Sequence, residues 1–322
     1  MKEIAPVLLI FFNRVDTLEI TFEQIKKAKP RKLYLAQDGP RNELDVEKII
    51  ECRKIVENID WECEVFKNYS EENHGCGRGP QRAINWFFEN EEEGIILEDD
   101  CVASQSFFSY CTEMLEKYRD DERIFLVAGC NFELQTTEVD TSYFFGYAGT
   151  NWGWATWKRN WDKMDYSCSW IKDNAIKESV YSIINKINKN AAKREIAEFE
   201  NTNALVEKGE NISYWDAQWQ SIRYINHQLS IIPQRNLISN IGVGQQSTHA
   251  KSTSKSNIEK KVIGKISYFF NPTFEFEGDL IHPEYVIENI AYDKNVYARQ
   301  YRKTFKGFVK RCMRGIKKIF KR

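Results

Sequence analysis

The sequence predicts an α/β fold with a mostly parallel sheet flanked by helices, and two observations support this prediction. Short apolar runs alternate with stretches of helical periodicity over the first 130 residues. That alternation is typical of parallel sheets whose strands are connected by helices. The chain has 322 residues, 42% of them hydrophobic, which is enough to form one large domain or two modest ones.

Five apolar runs are predicted strands, and four periodic stretches between them are predicted helices. The strands are Val7–Phe12, Lys32–Ala36, Cys63–Phe66, Gly94–Leu97 and Ile124–Val127. The helices are Thr17–Lys27, Val46–Asn58, Arg82–Phe88 and Phe107–Tyr118. Asp16 and Glu19 have the spacing of a capping box, which predicts the start of the first helix there.

The later part of the chain changes in composition. Aromatic residues and glycines are frequent from Asn131 to about Trp170. A polar helix is predicted at Ser179–Lys208, a further helix at Trp215–Ile225 and a strand at Leu229–Pro233. Residues 242–256 are rich in Gly, Ser, Gln, Thr and Lys, which predicts a loop.

Bulk composition excludes several classes of protein. The formal net charge is −1, so no overall positive field indicates nucleic-acid binding. The apolar segment Ile4–Phe12 is too short to span a bilayer, and no other segment is a candidate span. The eight cysteines have no CxxC pair or zinc spacing, so free thiols are expected. We therefore expect a cytoplasmic protein, with peripheral association at the inner face of the membrane as an option.

Polar side chains follow three of the predicted strands. Asn13 and Arg14 follow the first strand, Asp38 follows the second, and Glu98–Asp100 follows the fourth. Because parallel strands end at one shared edge, where ligands of open α/β sheets bind, these groups are expected to line one crevice. Three adjacent carboxylates repel one another, and a divalent cation would hold them together. The alternative is a solvated acidic turn that caps the next helix.

Two of these residues have a structural alternative of their own. Arg14 suits bidentate recognition of a diphosphate, and the alternative is an ion pair with a carboxylate. Asp38 can accept a hydrogen bond from a nucleobase or a ribose hydroxyl. The sequence Asp38-Gly39-Pro40 also forms a turn without any ligand.

Taken in order, these motifs resemble those of the GT-A nucleotide-diphospho-sugar transferases. The similarity is closest to the N-acetylglucosaminyltransferase I-like branch and to bacterial hemolytic-protein-like relatives, and it covers roughly residues 5 to 250. The motifs are Pro6–Ile10 with Arg14, Gln37–Gly39, Leu97–Asp100 with Phe107-Phe108, Asn151–Trp157 and Tyr214–Asp216. The eukaryotic members of this family have a histidine near the nucleobase, in the helix before the acidic motif. The corresponding stretch here, Gly77–Arg82, has none.

The resemblance implies a GT-A (Rossmann-like) fold and inverting transfer of a sugar from a UDP-sugar or related donor, with Mn²⁺ or Mg²⁺. Residues 1–130 would be the nucleotide-sugar-binding half, 131–290 the acceptor-binding and catalytic half, and 291–322 a basic amphipathic tail. The acceptor would be a glycan or a lipid-linked glycan, in bacterial surface polysaccharide or glycoconjugate synthesis. By motif position, Asp100 would bind the metal.

The resemblance also implies roles for the neighbours of that metal ligand. Asp99 would contact the ribose or the metal, and Glu98 would belong to the same donor site. Arg14, beside Asn13, would contact the phosphates, and Asp38 would contact the base.

Asp216 matches the position of the family's catalytic base. An inverting transfer needs a base that takes the proton of the acceptor hydroxyl. Ser213 and Asp216 also have the spacing of a capping box, and the two roles are compatible.

Further candidates for the site lie in the predicted loop at 242–256 and in a tryptophan-rich triplet. His249 would supply a late metal or phosphate ligand, although loop histidines are usually solvated. Lys251 or Lys255 would reach the diphosphate, with Gly242 and Gly244 as hinges of a closing loop. The candidate sugar-binding triplet is Trp152-Gly153-Trp154, because indoles stack on sugar faces. Closely spaced indoles are otherwise mostly core, which is the interpretation for Trp157 and Trp161.

The C-terminal segment is basic and amphipathic. Between Tyr301 and Arg322 there is no acidic residue, and apolar residues recur at helical spacing. This pattern favours contact with an anionic membrane surface, and the alternatives are docking on the body or a disordered tail. The rival functions are a metal-dependent phosphohydrolase or nucleotidyltransferase, and a carbohydrate-binding module without catalysis. Residues 75–79 lack the Gly-Lys-Ser/Thr ending of a P-loop.

Overall fold

The computed structural model describes residues 3–242 and 271–301. The first half of the chain alternates strands and helices. Its elements are β1 (Val7–Phe11), α1 (Val15–Ala28), β2 (Lys32–Gln37), α2 (Glu43–Val56), β3 (Glu64–Tyr69), α3 (Gly75–Asn90), β4 (Glu93–Glu98), β5 (Cys101–Ala103), α4 (Gln105–Lys117) and β6 (Ile124–Ala128). All five predicted strands and all four predicted helices are present here, with bounds shifted by a few residues.

The second half adds strands to the same sheet and a helical layer. Its elements are β7 (Tyr143–Gly146), β8 (Trp154–Trp157), α5 (Lys158–Trp161), a 3-10 helix (Ser169–Lys172), α6 (Asn174–Ile187), α7 (Lys189–Glu207), α8 (Asp216–Ile225), β9 (Leu229–Pro233), β10 (Ile238–Asn240) and α9 (Ile290–Gln300). The predicted single helix at 179–208 is two helices, because the Asn188 side chain accepts hydrogen bonds from the first amides of α7 and caps it.

One eight-stranded sheet organises the fold, in the order β3-β2-β1-β4-β8-β6-β9-β7. Strand β1 pairs in parallel with β2 and β4, and β2 with β3, so these four strands end at one edge. Strands β8 and β7 run antiparallel to their neighbours. The predicted class, a mixed and mostly parallel Rossmann-like sheet flanked by helices, is confirmed.

Side chains of β1 alternate between two cores because helices cover both faces of the sheet. Val7 and Leu9 pack with residues of α1, α2 and α4 on one face, whereas Leu8 packs with residues of α3 and α8 on the other. A strand buried on both faces is expected to be apolar throughout, as β1 is. A third core lies between the sheet and helices α6, α7 and α9.

Helix α1 begins earlier than the predicted capping box. The N-cap is Arg14, without a side-chain cap, and the Arg14 carbonyl accepts from the amide of Leu18. Asp16 therefore lies in the first turn, where a negative charge still interacts favourably with the helix dipole. The prediction of a capping box at Asp16 and Glu19 was wrong.

Helix α9 is part of the packed body. Tyr292, Val296 and Tyr297 are buried in the core formed with α6 and α7. The segment predicted as a basic tail begins at residue 291, and its part from 302 to 322 lies outside the described residues. Within residues 3–242 and 271–301, no helix is long and apolar enough to cross a bilayer.

Candidate functional site

A cleft of about 1530 Å³ lies at the edge of the sheet where β1, β2 and β4 end. Most of the residues that the sequence nominates lie on its wall: Asn13, Arg14, Asp38, Glu98, Asp99, Asp100, Trp152 and Asp216. They come from positions more than 200 residues apart in the chain. The topology of the sheet brings them together, as expected for groups at the ends of parallel strands.

Arg14 joins the two aspartates at the floor of the cleft. Its Nη2 donates to Asp99 and its Nη1 donates to Asp100 Oδ2 at 2.9 Å. Asp99 is only 3% exposed and also accepts from the amide of Phe12 at 3.3 Å. Burial alone would lower the pKa of Arg14, but the charges of Asp99 and Asp100 outweigh it and raise that pKa. Arg14 is therefore the ion-pair partner of both aspartates, which is the alternative stated for it above, and its contact with a diphosphate stays a prediction.

Negative charge is concentrated beside this ion pair. Burial, together with Asp100 and Asp99, raises the pKa of Glu98 to about 8. Burial raises the pKa of Asp99 to about 6, although Arg14 opposes the shift. Carboxyl groups in such surroundings favour the neutral form unless a cation approaches them. One arginine thus balances only part of the charge of the three acids.

A short two-stranded sheet fixes Asp100 from the other side. Strands β5 and β10 pair antiparallel, with Asn240 opposite Cys101. The Asn240 Nδ2 donates to Asp100 Oδ1 at 3.2 Å. A Cβ at Gly242 would lie 2.1 Å from Asp100 Oδ2, so glycine is the residue that leaves this carboxylate in place. The chain at 240–242 therefore determines where the Asp100 carboxylate lies.

Asp45, which the sequence did not nominate, holds Asn13 in place. Its Oδ1 accepts from Asn13 Nδ2 at 2.6 Å, and both its oxygens accept from the guanidinium of Arg41 at 2.8 Å. The hydrogen bonds from Arg41, opposed by burial, lower the pKa of Asp45 to about 2. The only sequence signal was an acid directly before a predicted helix, a position where a negative charge interacts favourably with the helix dipole without any ligand.

Asp38 binds the start of α3. Its carboxylate accepts from the backbone amides of His74 at 2.9 Å and Gly75 at 2.9 Å, and from that of Gly39 at 3.1 Å. These contacts are turn and capping interactions, the structural alternative stated for Asp38. His74 also lines the cleft, just before the stretch in which the resembled family has its histidine. Contact of Asp38 with a nucleobase or a ribose hydroxyl stays a prediction.

Asp216 is the first residue of α8 and lies on the cleft wall. The N-cap is Trp215 and makes no side-chain cap, so the predicted capping box from Ser213 to Asp216 is wrong. The charge of Asp216 is close enough to contribute to the raised pKa of Glu98. Asp216 therefore shares the cleft with the acidic triplet, and its role as a base stays a prediction.

Of the Trp152-Gly153-Trp154 triplet, only Trp152 lines the cleft. Trp154 is 1% exposed and packs with Trp215 and Trp219 in the core, because it points to the α8 face of the sheet. Gly153 has φ of +55°, and a Cβ there would lie 2.4 Å from Ile238, so it serves packing. The prediction that Gly153 and Trp154 contact a sugar is therefore wrong.

The other nominated residues lie outside the described part of the chain. These are His249, Lys251, Lys255 and Gly244. Within the described residues, no group of three or more His, Cys, Asp or Glu side chains has the arrangement of a metal site. Seven of the eight cysteines are described, and all seven are free thiols, as predicted.

Comparisons with known proteins assign no family. No family model and no curated protein sequence match the chain. Among solved structures, HddC from Yersinia pseudotuberculosis is similar over 48% of this chain and 77% of HddC, with 10% identity and a TM-score of 0.27. HddC complexed with GMP-PN gives 12% identity and a TM-score of 0.30 over the same shares. A UDP-glucose pyrophosphorylase complexed with UDP-glucose gives 11% identity and 0.23, over 39% of this chain and 63% of that one. Similarity this low supports neither a family nor an activity.

Proposed function

We propose that the protein is a GT-A-type glycosyltransferase that moves a sugar from a nucleotide diphosphate donor to an acceptor hydroxyl. One observation carries the proposal: Arg14 is held between Asp99 and Asp100 at the floor of the cleft, and Asp216 lies on the wall of that cleft. This arrangement combines a phosphate-binding cation, acids suited to a divalent metal and a candidate base. A donor such as a UDP-sugar and a glycan or lipid-linked acceptor fit that set.

The size of the cleft supports a large, composite ligand. Pockets for drug-sized molecules typically measure about 300–1000 Å³. The cleft is larger, about 1530 Å³, which leaves room for a nucleotide sugar together with part of an acceptor. At the end near β2 and α3 it is lined by Asp38, His74 and Asn73, which offer hydrogen-bond partners to a nucleobase or a ribose.

The acids fit a divalent cation that shares its coordination with the donor. Asp100 and Glu98 offer carboxylate oxygens, the ligands that Mg²⁺ and Mn²⁺ prefer. Burial, followed by repulsion from Asp100 and Asp99, raises the pKa of Glu98 against the opposing charge of Arg14, and a divalent cation would favour the ionised form of this acid. Two carboxylates plus substrate phosphates are a usual Mg²⁺ site, so a third protein ligand is not required. When bound, the ion would neutralise the charge that develops on the diphosphate leaving group.

The side chains of the protein would carry the remaining steps. A guanidinium has five N–H groups, so Arg14 would orient a phosphate with N–H groups other than the two that it donates to Asp99 and Asp100, while Asp99 keeps the guanidinium in place. Asp216 would accept the proton of the acceptor hydroxyl as the oxygen attacks the anomeric carbon in line. Attack from the side opposite the leaving group inverts that carbon. Trp152, on the cleft wall, would offer its ring to a sugar face.

The test is release of nucleotide from a panel of nucleotide sugars with Mn²⁺ and no acceptor. We expect slow release of a nucleoside diphosphate from one donor, which Asp100→Asn abolishes. Asp216→Asn should retain donor binding and lose transfer. Release of phosphate or pyrophosphate from nucleoside triphosphates would indicate the rival hydrolase or nucleotidyltransferase. Glycan binding without any nucleotide binding would indicate a carbohydrate-binding module.

A further inference from the structure

A second cavity, of about 220 Å³, adjoins the cleft at Asp216. Asp216 lines both spaces, so this residue lies where they meet. Trp152 of the cleft packs edge-to-face on Phe132 of the second cavity, with ring centroids 5.7 Å apart. The two spaces therefore share one residue and are joined at a second point by a ring contact.

The wall of the second cavity is held by hydrogen bonds between distant segments. Arg223 of α8 is 4% exposed, donates to the carbonyl of Gly149 at 2.8 Å and donates to the Tyr297 hydroxyl of α9 at 3.3 Å. The Tyr301 hydroxyl donates to Glu195 Oε1 of α7 at 2.8 Å. Because these bonds cross-link α7, α8, α9 and residue 149, the shape of the second cavity is fixed before any ligand arrives.

The charge inside the second cavity favours a ligand rich in hydrogen-bond donors. Glu195, Glu198 and Asp216 line it, and Arg223 is the one cation among the described lining residues. Glu195 is near Arg223 and accepts from a tyrosine hydroxyl. Burial raises the pKa of Glu198, and repulsion from Asp216 and Glu195 adds to that shift. A phosphate or carboxylate ligand would add to this repulsion, whereas hydroxyl groups would relieve it.

The remaining lining has the composition of a carbohydrate site. Gln220, Gln300 and Thr150 offer amide and hydroxyl groups, and the largely buried rings of Phe132 and Phe199 border the cavity. Amides and carboxylates bind sugar hydroxyls, and aromatic rings pack on the apolar face of a sugar. A volume of about 220 Å³ is below the usual range for drug-sized ligands, about 300–1000 Å³, and suits one ring.

We propose that the second cavity binds the terminal sugar of the acceptor and presents one of its hydroxyls to Asp216. This inference rests on the proposed function and specifies its acceptor as a neutral sugar ring, bound by Glu198, Gln220 and Gln300. The donor would lie in the cleft and the acceptor ring in the second cavity. Asp216, which lines both, would be the point where the two substrates meet.

The experiment measures saturation transfer by NMR to a panel of methyl glycosides, which are the methyl glucosides, galactosides and N-acetylglucosaminides of both anomers. We expect transfer to at least one glycoside with the wild-type chain. Two variants should reduce this saturation transfer about fivefold or more, because each removes one hydrogen bond or ring contact with the sugar. They are Gln300→Trp, which fills the rim of the second cavity, and Glu198→Ala. The matched control is Ala298→Trp, an exposed position on the same helix that does not line the second cavity.

Nucleotide release without acceptor separates this inference from the proposed function. The control Ala298→Trp should leave that rate within about twofold of wild type, because Ala298 lines neither the cleft nor the second cavity. The acceptor site would be overturned if the protein turned over a donor but gave equal glycoside signals in wild type and Gln300→Trp. It would also be overturned if the protein turned over a donor and gave no glycoside signal at all. In both cases the proposed function would stand. Absence of donor turnover and of donor binding would overturn the proposed function itself.

Discussion

Replacing Arg14 by methionine tests how the acids at the floor of the cleft are held together. Methionine keeps much of the length of arginine but leaves Asp99 and Asp100 without their cation. The side chains of Arg14 and Asp99 are 22% and 4% exposed. Removing one partner of a buried pair costs about 3–5 kcal/mol. Because Arg14 is partly exposed and Asp99 can take up a proton instead, we expect a loss of about 2–4 kcal/mol in the free energy of unfolding at pH 7.

Urea denaturation of four proteins measures this coupling: wild type, Arg14→Met, Asp99→Asn and the double variant. We expect a coupling energy of about 2 kcal/mol, because each single change removes the same contact. Arg31→Met is the control, since Arg31 is 57% exposed and pairs with Glu62, which is 88% exposed. That change should have a much smaller effect on the free energy of unfolding, because solvent screens an exposed ion pair. Additive effects of Arg14→Met and Asp99→Asn, within about 0.5 kcal/mol, would refute the ion pair.

Three further predictions concern the cleft wall and the cores. Gly242→Ala places a Cβ 2.1 Å from Asp100 Oδ2 and should displace that carboxylate. Calorimetry should therefore show a metal-dependent affinity for nucleotide that is about tenfold weaker, at an unchanged melting temperature. An unchanged affinity would contradict this prediction. Gly77→Ala places a Cβ 1.9 Å from the carbonyl oxygen of Ile212. Urea denaturation should show that the free energy of unfolding falls by about 1–3 kcal/mol. An unchanged free energy would show that the two segments separate easily. Burial raises the pKa of Asp293 to about 7, although the amides of Tyr147 and Ala148 lower it. The folded state therefore holds a proton that the unfolded state releases near pH 4, and stability should fall as the pH rises from about 4 to about 7. In urea titrations at pH 5 and pH 8, Asp293→Asn should reduce the difference in the free energy of unfolding between the two pH values. An unchanged difference would show that Asp293 does not hold this proton.

Much of the site could be predicted from the sequence because it follows strand ends. Apolar runs located β1, β2 and β4, and the residues directly after them reached the cleft wall. Strand order and direction were not needed in detail, since any parallel arrangement brings these ends to one edge. Asp216, by contrast, was located by a motif and not by the end of a strand.

Residues whose role depends on side-chain direction were predicted poorly. Trp152 and Trp154 are two positions apart, yet one lines the cleft and the other is buried in the core. Asp45 and His74 lie on the wall through tertiary contacts that no local pattern indicates. The second cavity is beyond sequence reasoning for the same reason, because α7, α8 and α9 meet only in the folded chain.

The role of the acidic triplet can be measured by calorimetric titration of a nucleoside diphosphate, such as UDP, with and without Mn²⁺. Because Asp100 and Glu98 would bind the diphosphate through the ion, we expect binding by the wild-type chain only when Mn²⁺ is present. Asp100→Asn, which keeps the shape of the side chain but removes its charge, should abolish that binding. Equal affinity with and without Mn²⁺, or full binding by Asp100→Asn, would contradict a metal-bridged nucleotide site at the end of β4.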